Sequence, residues 1–133
     1  MHGERLHVEF REMADNRRSV TEAMMVEAYD AAADCRKAFD ALFNRFDVVL
    51  TPSAPGEAPE GLHTMGDWVF NGMWTVMHMP CLAIPCITGP QGLPVGIQVV
   101  GPRYSDARLL KIAAAVASVI DVAAEERDAS AAG

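Results

Sequence analysis

Amide or ester chemistry needs a nucleophile beside a base, and this 133-residue chain offers few candidates. Its serines are Ser19, Ser53, Ser105, Ser118 and Ser130, placed at two helix starts, in a proline-flanked loop, inside a helix and in the tail. No G-x-S-x-G elbow surrounds any of them. Only Lys37 and Lys111 could act as amine bases, and both fall in helical patterns. The glycine-rich phosphate cradles G-x-x-x-x-G-K-[ST] and G-x-G-x-x-G are absent. Metal ligation would have to draw on His63, His78, Cys81 and Cys86, but His78-x2-Cys81-x4-Cys86 is not a zinc spacing. Cys81 and Cys86 are five apart in a strand pattern, an odd offset that puts them on opposite faces. They read as buried, inert thiols, and His78 as a structural histidine at a helix end. Asp47 and Glu57 have no spacing that pairs them. On these residues the chain carries no catalytic residue, no metal site and no cofactor site.

The charge balance narrows the partners. Eighteen acidic against eleven basic residues give a net charge of −7. A nucleic-acid surface needs a basic footprint that displaces counterions, and the longest basic run is Arg17-Arg18. Anionic membrane surfaces are disfavoured for the same reason. Three cysteines make an odd set with no disulfide framework, which fits a reducing cytoplasm. The first twelve residues are charged and lack an apolar core, so no secretory signal is expected. Half of the residues are apolar, which excludes a disordered chain.

The elements that must position any site follow from periodicity. Residues 1–18 read as an N-terminal arm. Ser19-x-x-Glu22 has the form of a capping box. Val20, Met24, Ala28, Ala31, Cys35, Ala38, Leu42 and Phe46 then predict the buried stripe of a helix over 20–45. The outer face would hold Glu22, Glu27, Asp30, Asp34, Arg36 and Lys37. Phe46–Leu50, FDVVL, predicts a strand covered on both faces, halted by Thr51-Pro52. Residues 51–66 hold three prolines and three glycines, so no regular element persists there. Asp67 is placed to cap a helix over 68–78 that is apolar nearly all round and therefore needs cover on several sides, with Pro80 ending it.

Cys81–Thr88 and Val95–Val100 predict two strands joined by a hairpin-like connection through GPQGLP. Pro85 inside the first demotes it to an edge, a bulge or a bend. Ser105-Asp106 opens a last helix with Leu109, Ile112, Ala113, Val116, Ala117 and Ile120 on one stripe. The expected fold is α/β, a small mixed sheet of about three strands with flanking helices. Its domain spans 19–122, and 123–133 form a flexible tail.

The stretch from Phe46 onward carries a resemblance. FDVVLTPSAPGEAP, then MPCLAIPCITGPQGLPVGIQVVGPRYSDARLLKIAAAV, resembles the C-terminal portion of the amidase signature family. That family's pattern runs approximately D-x-L-L-x-P-T-x-P-x-x-A-P, N-L-T-G-L-P-A-x-S-x-P-x-G, G-L-P-x-G-x-Q-x-x-G and a D-x-x-L-L helix. Asp47, Pro52, Pro55, Ala58-Pro59, Pro80, Pro85, Gly92-Leu93-Pro94, Gly96, Gln98, Gly101, Asp106 and Leu109-Leu110 match in order. GLPVGIQVVG is the most specific piece, and the match covers about 28–122.

The resemblance implies amide C–N hydrolysis through a Ser–cis-Ser–Lys triad carried on a Gly- and Ser-rich segment and an upstream Lys. This chain has no such segment, so no catalytic residue transfers. What transfers is a sheet-completing part whose substrate-pocket wall would include Trp74, Thr75, Met77, His78 and Cys81. Thr75-Val76-Met77-His78-Met79-Pro80 stands where the family reads N-L-T-G-L-P. His78 replaces a glycine there, which implies altered close packing, and Thr75 loses an amide. The P-x-G after the following strand becomes Pro85-Cys86-Ile87 with Gly89 further on, a second irregularity.

Three readings stand on these residues. The chain is a fragment or remnant of an amidase signature hydrolase that is inactive alone. It is a pocket-wall subunit complementing a separate chain that carries the missing half. Or it is a non-catalytic module that oligomerises or binds a ligand. Strand edges and an apolar helix left uncovered predict self-association, most simply a two-fold dimer.

Overall fold

The computed structural model describes residues 8–16 and 19–131. The chain divides into two compact units, Met1–Cys35 and Arg36–Gly133. Of the arm expected over 1–18, Val8–Asn16 form helix α1, while residues 1–7 and the Arg17-Arg18 pair lie outside the described residues. Helix α2 covers Glu22–Leu42 and runs across the division between the units. Its cap is Thr21, whose Oγ1 accepts the Met24 amide at 3.2 Å, the ordinary work of a helix-capping hydroxyl. This hydroxyl lies two residues after the Ser19 of the expected capping box.

The buried stripe expected on α2 is also displaced. Val20, Met24 and Phe46 are half exposed, and Ala28, Ala31, Cys35 and Ala38 are exposed. The half-buried positions of the second unit's part of α2 include Arg36, Phe39, Asp40 and Leu42, with Phe43 just beyond the helix. The same 3.6-residue period holds, rotated by about one residue, because the two phenylalanines rather than the alanines supply apolar area worth covering.

The second unit is a three-stranded antiparallel sheet in the order β1-β3-β2, with β1 at Val49–Pro52, β2 at Cys81–Thr88 and β3 at Pro94–Val100. The expected α/β class and the three strands are present. Strand β1 starts three residues later than FDVVL suggests and takes in Thr51-Pro52, pairing Pro52 with Ile97. Proline is tolerated there because β1 is an edge and the missing N–H removes no ladder bond on which a neighbour depends. Strand β2 is the other edge, and its ladder to β3 shifts register between Pro85 and Ile87. Cys86 is left as the bulged residue.

Alternation along the central strand decides the layers. Val99 faces Ile84, Leu109 and Ala113, a cluster joined by Val48, Leu82, Ile97, Ile112, Val116, Ala117 and Ile120. That is the face under helix α4, Asp106–Ala131, and it contains the whole stripe predicted from 109 to 120. The helix continues past 122 through Ala131, into the expected tail. Val100 faces the other way, onto Trp74, Met77 and Met79, with Phe39, Phe43 and Val49 packed against them. Val99 and Val100 are both fully buried. Each contributes roughly 1.5–3 kcal/mol of apolar burial, which makes β3 the strand on which both layers depend.

Candidate functional site

Strand β3 leads chemically as well as structurally, because Gln98 is 2% exposed and is, among the described residues, the buried polar residue of the core. Its Nε2 donates to the Phe70 carbonyl at 2.8 Å and to the Pro52 carbonyl at 3.2 Å. Asn71 adds a third tie, its Nδ2 donating to the Ser53 carbonyl at 3.1 Å. Both ends of the connection from 53 to 70 are thereby held over one face of the sheet. On that face Gly96 is crowded: a Cβ there would lie 2.9 Å from the Ile84 carbonyl oxygen and 2.9 Å from Ser53 Oγ. The Gly and Gln of the GLPVGIQ segment thus serve backbone approach and backbone satisfaction.

Helix α3 follows directly, but it is shorter than predicted, Gly72–Met77. Asp67 caps a preceding turn instead, its Oδ1 accepting the Val69 amide at 2.9 Å. That turn closes through bonds from the Asn71 and Gly72 amides to the Trp68 carbonyl at 2.8 and 2.9 Å. The expected cover on several sides is found on one side only among the described residues. Trp74, Met77 and Met79 are buried, while Trp68 is 72% and Val76 54% exposed.

The five residues expected along a pocket wall separate into two groups. Trp74 and Met77 are core residues, with the Trp74 ring edge-on to Phe39 at 5.6 Å between centroids. Trp74 Nε1 is the buried side-chain donor that has no hydrogen-bond partner among the described residues. Thr75 and His78 are exposed, and Thr75 Oγ1 reaches its own helix at the Asn71 carbonyl, 3.4 Å away. Cys81 is exposed as a residue, yet its sulfur points back to the Met79 carbonyl at 3.6 Å, and burial of the thiol pushes its pKa up. A raised thiol pKa disfavours the thiolate needed for nucleophilic attack. The expectation of buried thiols is not met: Cys35 and Cys81 are exposed and Cys86 is half-buried. Cys81 and Cys86 lie on an edge strand, which lacks a covering neighbour.

His78 has a clear local explanation. Its backbone is left-handed, φ 58° and ψ 35°. Its amide bonds the Thr75 carbonyl at 3.2 Å, and the Met79 amide bonds the Trp74 carbonyl at 3.0 Å. This is the Schellman end of a helix, in which a residue with positive φ turns the chain and glycine is the ordinary occupant. The position at which the resembling pattern has glycine thus takes a positive φ in this chain.

Glu57, which no spacing marks, is the best-bonded carboxylate of the region. Its Oε1 accepts the Leu93 amide at 2.9 Å and the Gln91 amide at 3.0 Å, and its Oε2 also faces the Gln91 amide at 3.1 Å. Asp47 pairs with Arg108 on α4 instead. Arg103 grips Asp40 through two nitrogens, and this hydrogen bond holds the Asp40 carboxyl below the usual range, against a smaller opposing effect of burial. Sequence could have found Glu57 only by matching an acid in one loop to free amides in a turn 34 residues later.

A cavity of about 620 Å³ lies on the α4 side, lined by the Pro85–Thr88 end of β2, Pro94 and α4 residues Ile120, Asp121 and Ala124. It includes none of the five wall residues. Among the described residues no group of three or more His, Cys, Asp or Glu could hold a metal ion. Among them, too, no helix is long and apolar enough to cross a membrane.

Comparison with known proteins supplies the frame for this geometry. The family profile described as Amidase matches residues 2–110. A glutamyl-tRNA(Gln) amidotransferase subunit of Thiobacillus denitrificans is 34% identical over 98 residues, covering 68% of this chain and 20% of that protein. The corresponding protein of Synechococcus sp. (strain RCC307) is 32% identical over 101 residues, covering 71% and 21%. That of Agathobacter rectalis is 28% identical over 99 residues, covering 69% and 20%. The chain spans about a fifth of the length of these curated relatives. With most of its residues inside the match, the chain belongs to the amidase (amidase signature) family.

Proposed function

We propose that this chain is the sheet-completing C-terminal part of an amidase signature hydrolase, inactive by itself in amide C–N hydrolysis. The observation that carries the reading is the coverage: the match takes in 68% of the chain but 20% of the relative. The Ser–cis-Ser–Lys region implied by the family belongs to the four-fifths outside the match. Within the 133 residues no Gly- and Ser-rich segment offers a substitute. Trp74 and Met77 support a wall from behind, while Thr75, His78 and Cys81 stand at its surface. Three unpaired thiols suit a reducing cytoplasm.

The experiment is a panel of aliphatic and aryl amides incubated with the purified chain, alone and with a polypeptide carrying the Ser–cis-Ser–Lys region of a relative. Turnover is expected only in the mixture. Hydrolysis by the chain alone overturns the reading.

Both edges of the sheet and the exposed side of α3 also support association of the isolated chain with a second copy or a complementing chain. A symmetric dimer is the simplest form. Analytical ultracentrifugation at micromolar concentration checks this, and a clean monomer counts against it.

A further inference from the structure

We propose that the Glu57 carboxylate is a latch that holds the connection from 53 to 70 shut against the β2–β3 turn, with a hinge at its two ends. The ends are fixed: Gln98 holds the Pro52 and Phe70 carbonyls, and Asn71 holds the Ser53 carbonyl. Between them every residue from 58 to 69 is exposed, including Leu62 at 101%, Met65 at 95% and Trp68 at 72%. The hydrogen bonds described within that stretch are local, from the Gly66 amide to Thr64 Oγ1 and from the Val69 amide to Asp67 Oδ1. The Ser53 amide also bonds the Gly96 carbonyl at the first end. Between the ends it is Glu57 that ties the connection to the β2–β3 turn among the described residues, through the Gln91 and Leu93 amides.

The receiving turn is shaped for a carboxylate. Gly89 and Leu93 close it, the Gly89 amide donating to the Leu93 carbonyl at 2.9 Å. The Gln91 and Leu93 amides are left pointing at one acceptor, and charge-assisted bonds to backbone amides are about twice as strong as neutral ones. The acceptor fits because residue 89 has no side chain. A Cβ there would lie 2.4 Å from Cγ, Cδ and Oε1 of Glu57. Gly89 is not among the positive-φ residues, so its backbone accepts alanine and the obstacle is Glu57 itself. One carboxylate against two amides is strong enough to favour closure and weak enough to open without unfolding the sheet. This device stands independently of whether residues 74–81 wall a substrate pocket.

Two variants and one wild-type measurement test it. Glu57→Gln keeps the shape and removes the charge; Gly89→Ala keeps the charge and blocks the seat. In both, chymotryptic cutting after Leu62, read by mass spectrometry, should rise roughly tenfold over wild type, with thermal unfolding still cooperative. In the wild type, hydrogen exchange at the Gln91 and Leu93 amides should be slowed at least about tenfold relative to unprotected amides. Exchange of both amides at the unprotected rate overturns the latch, even if the variants fail to fold. Unchanged cutting in both folded variants overturns it as well.

Discussion

Gln98 Nε2 lies 2.8 Å from the carbonyl oxygen of Phe70, a contact that spans 28 residues of sequence and joins the central strand to the turn before α3. The same nitrogen reaches the Pro52 carbonyl, so one buried amide bonds both the end of β1 and the turn before α3. A side chain 2% exposed can do this only if both acceptors stay in place.

Replacing Gln98 by leucine should therefore cost about 1–3 kcal/mol, since the Phe70 carbonyl loses its side-chain donor while the Pro52 carbonyl keeps only Thr51 Oγ1. Gln98→Glu is the sharper variant. An ionised carboxylate would face two carbonyl oxygens, whereas the protonated acid can donate to one of them. Its stability relative to wild type should improve as pH falls through roughly 5, the reverse of ordinary acid destabilisation. Urea midpoints between pH 4 and 8 check this, and a pH-independent deficit would contradict the assigned bonds.

What can be read in advance divides along physical lines. Strand β2 and the α4 stripe from Leu109 to Ile120 are legible because periodicity and burial coincide there. Pro85 announces the bulge because a missing N–H is a local fact. The face of α2 is not legible: its alanines follow the period as well as Phe39 and Phe43 do, and side-chain size breaks the tie only once a partner is known. Gln98 and Glu57 are invisible as actors for a different reason: their partners are main-chain groups, which every residue possesses. In the proposed wall, His78 is legible as a departure from glycine, but its cause needs a backbone angle.

That angle makes a simple forecast. An L-residue in the left-handed region costs about 1–2 kcal/mol, and glycine gives back roughly half of this through a freer unfolded chain. His78 is exposed, so its imidazole loses little packing on removal. His78→Gly should stabilise the protein by about 0.5–1 kcal/mol, and His78→Val should destabilise it by more than about 1 kcal/mol. Differential scanning fluorimetry gives both signs. Stabilisation by valine would remove the Schellman assignment.

The pair of Arg103 with Asp40 predicts an acid-side effect. Arg103 lowers the Asp40 pKa in the folded state. The pair's stabilisation is therefore fully present above the unfolded carboxylate value of about 4, and is lost as pH falls through the lower folded value. Arg103 stays charged throughout, its own pKa being raised by Asp40. The side chains are 26% and 39% exposed, so solvent screening keeps the effect small. Wild type and Asp40→Asn should differ in Tm at pH 7, converge below about pH 3, and differ less in about 1 M salt. A gap that persists at low pH would assign the loss to packing.

Gly96 tests how tightly the glycine of GLPVGIQ is held. A Cβ there would sit 2.9 Å from two oxygens, one a side-chain hydroxyl on Ser53 and one the Ile84 backbone carbonyl. The hydroxyl can rotate away, but the carbonyl belongs to the residue before Pro85 in the β2 ladder and moves only with the strand. Gly96→Ala should cost about 1–3 kcal/mol, a typical penalty for overpacking. Adding Ser53→Ala should recover less than half of that loss, because the Ile84 contact remains. Full recovery in the double variant would show that the strand can yield and that the hydroxyl alone excluded a side chain.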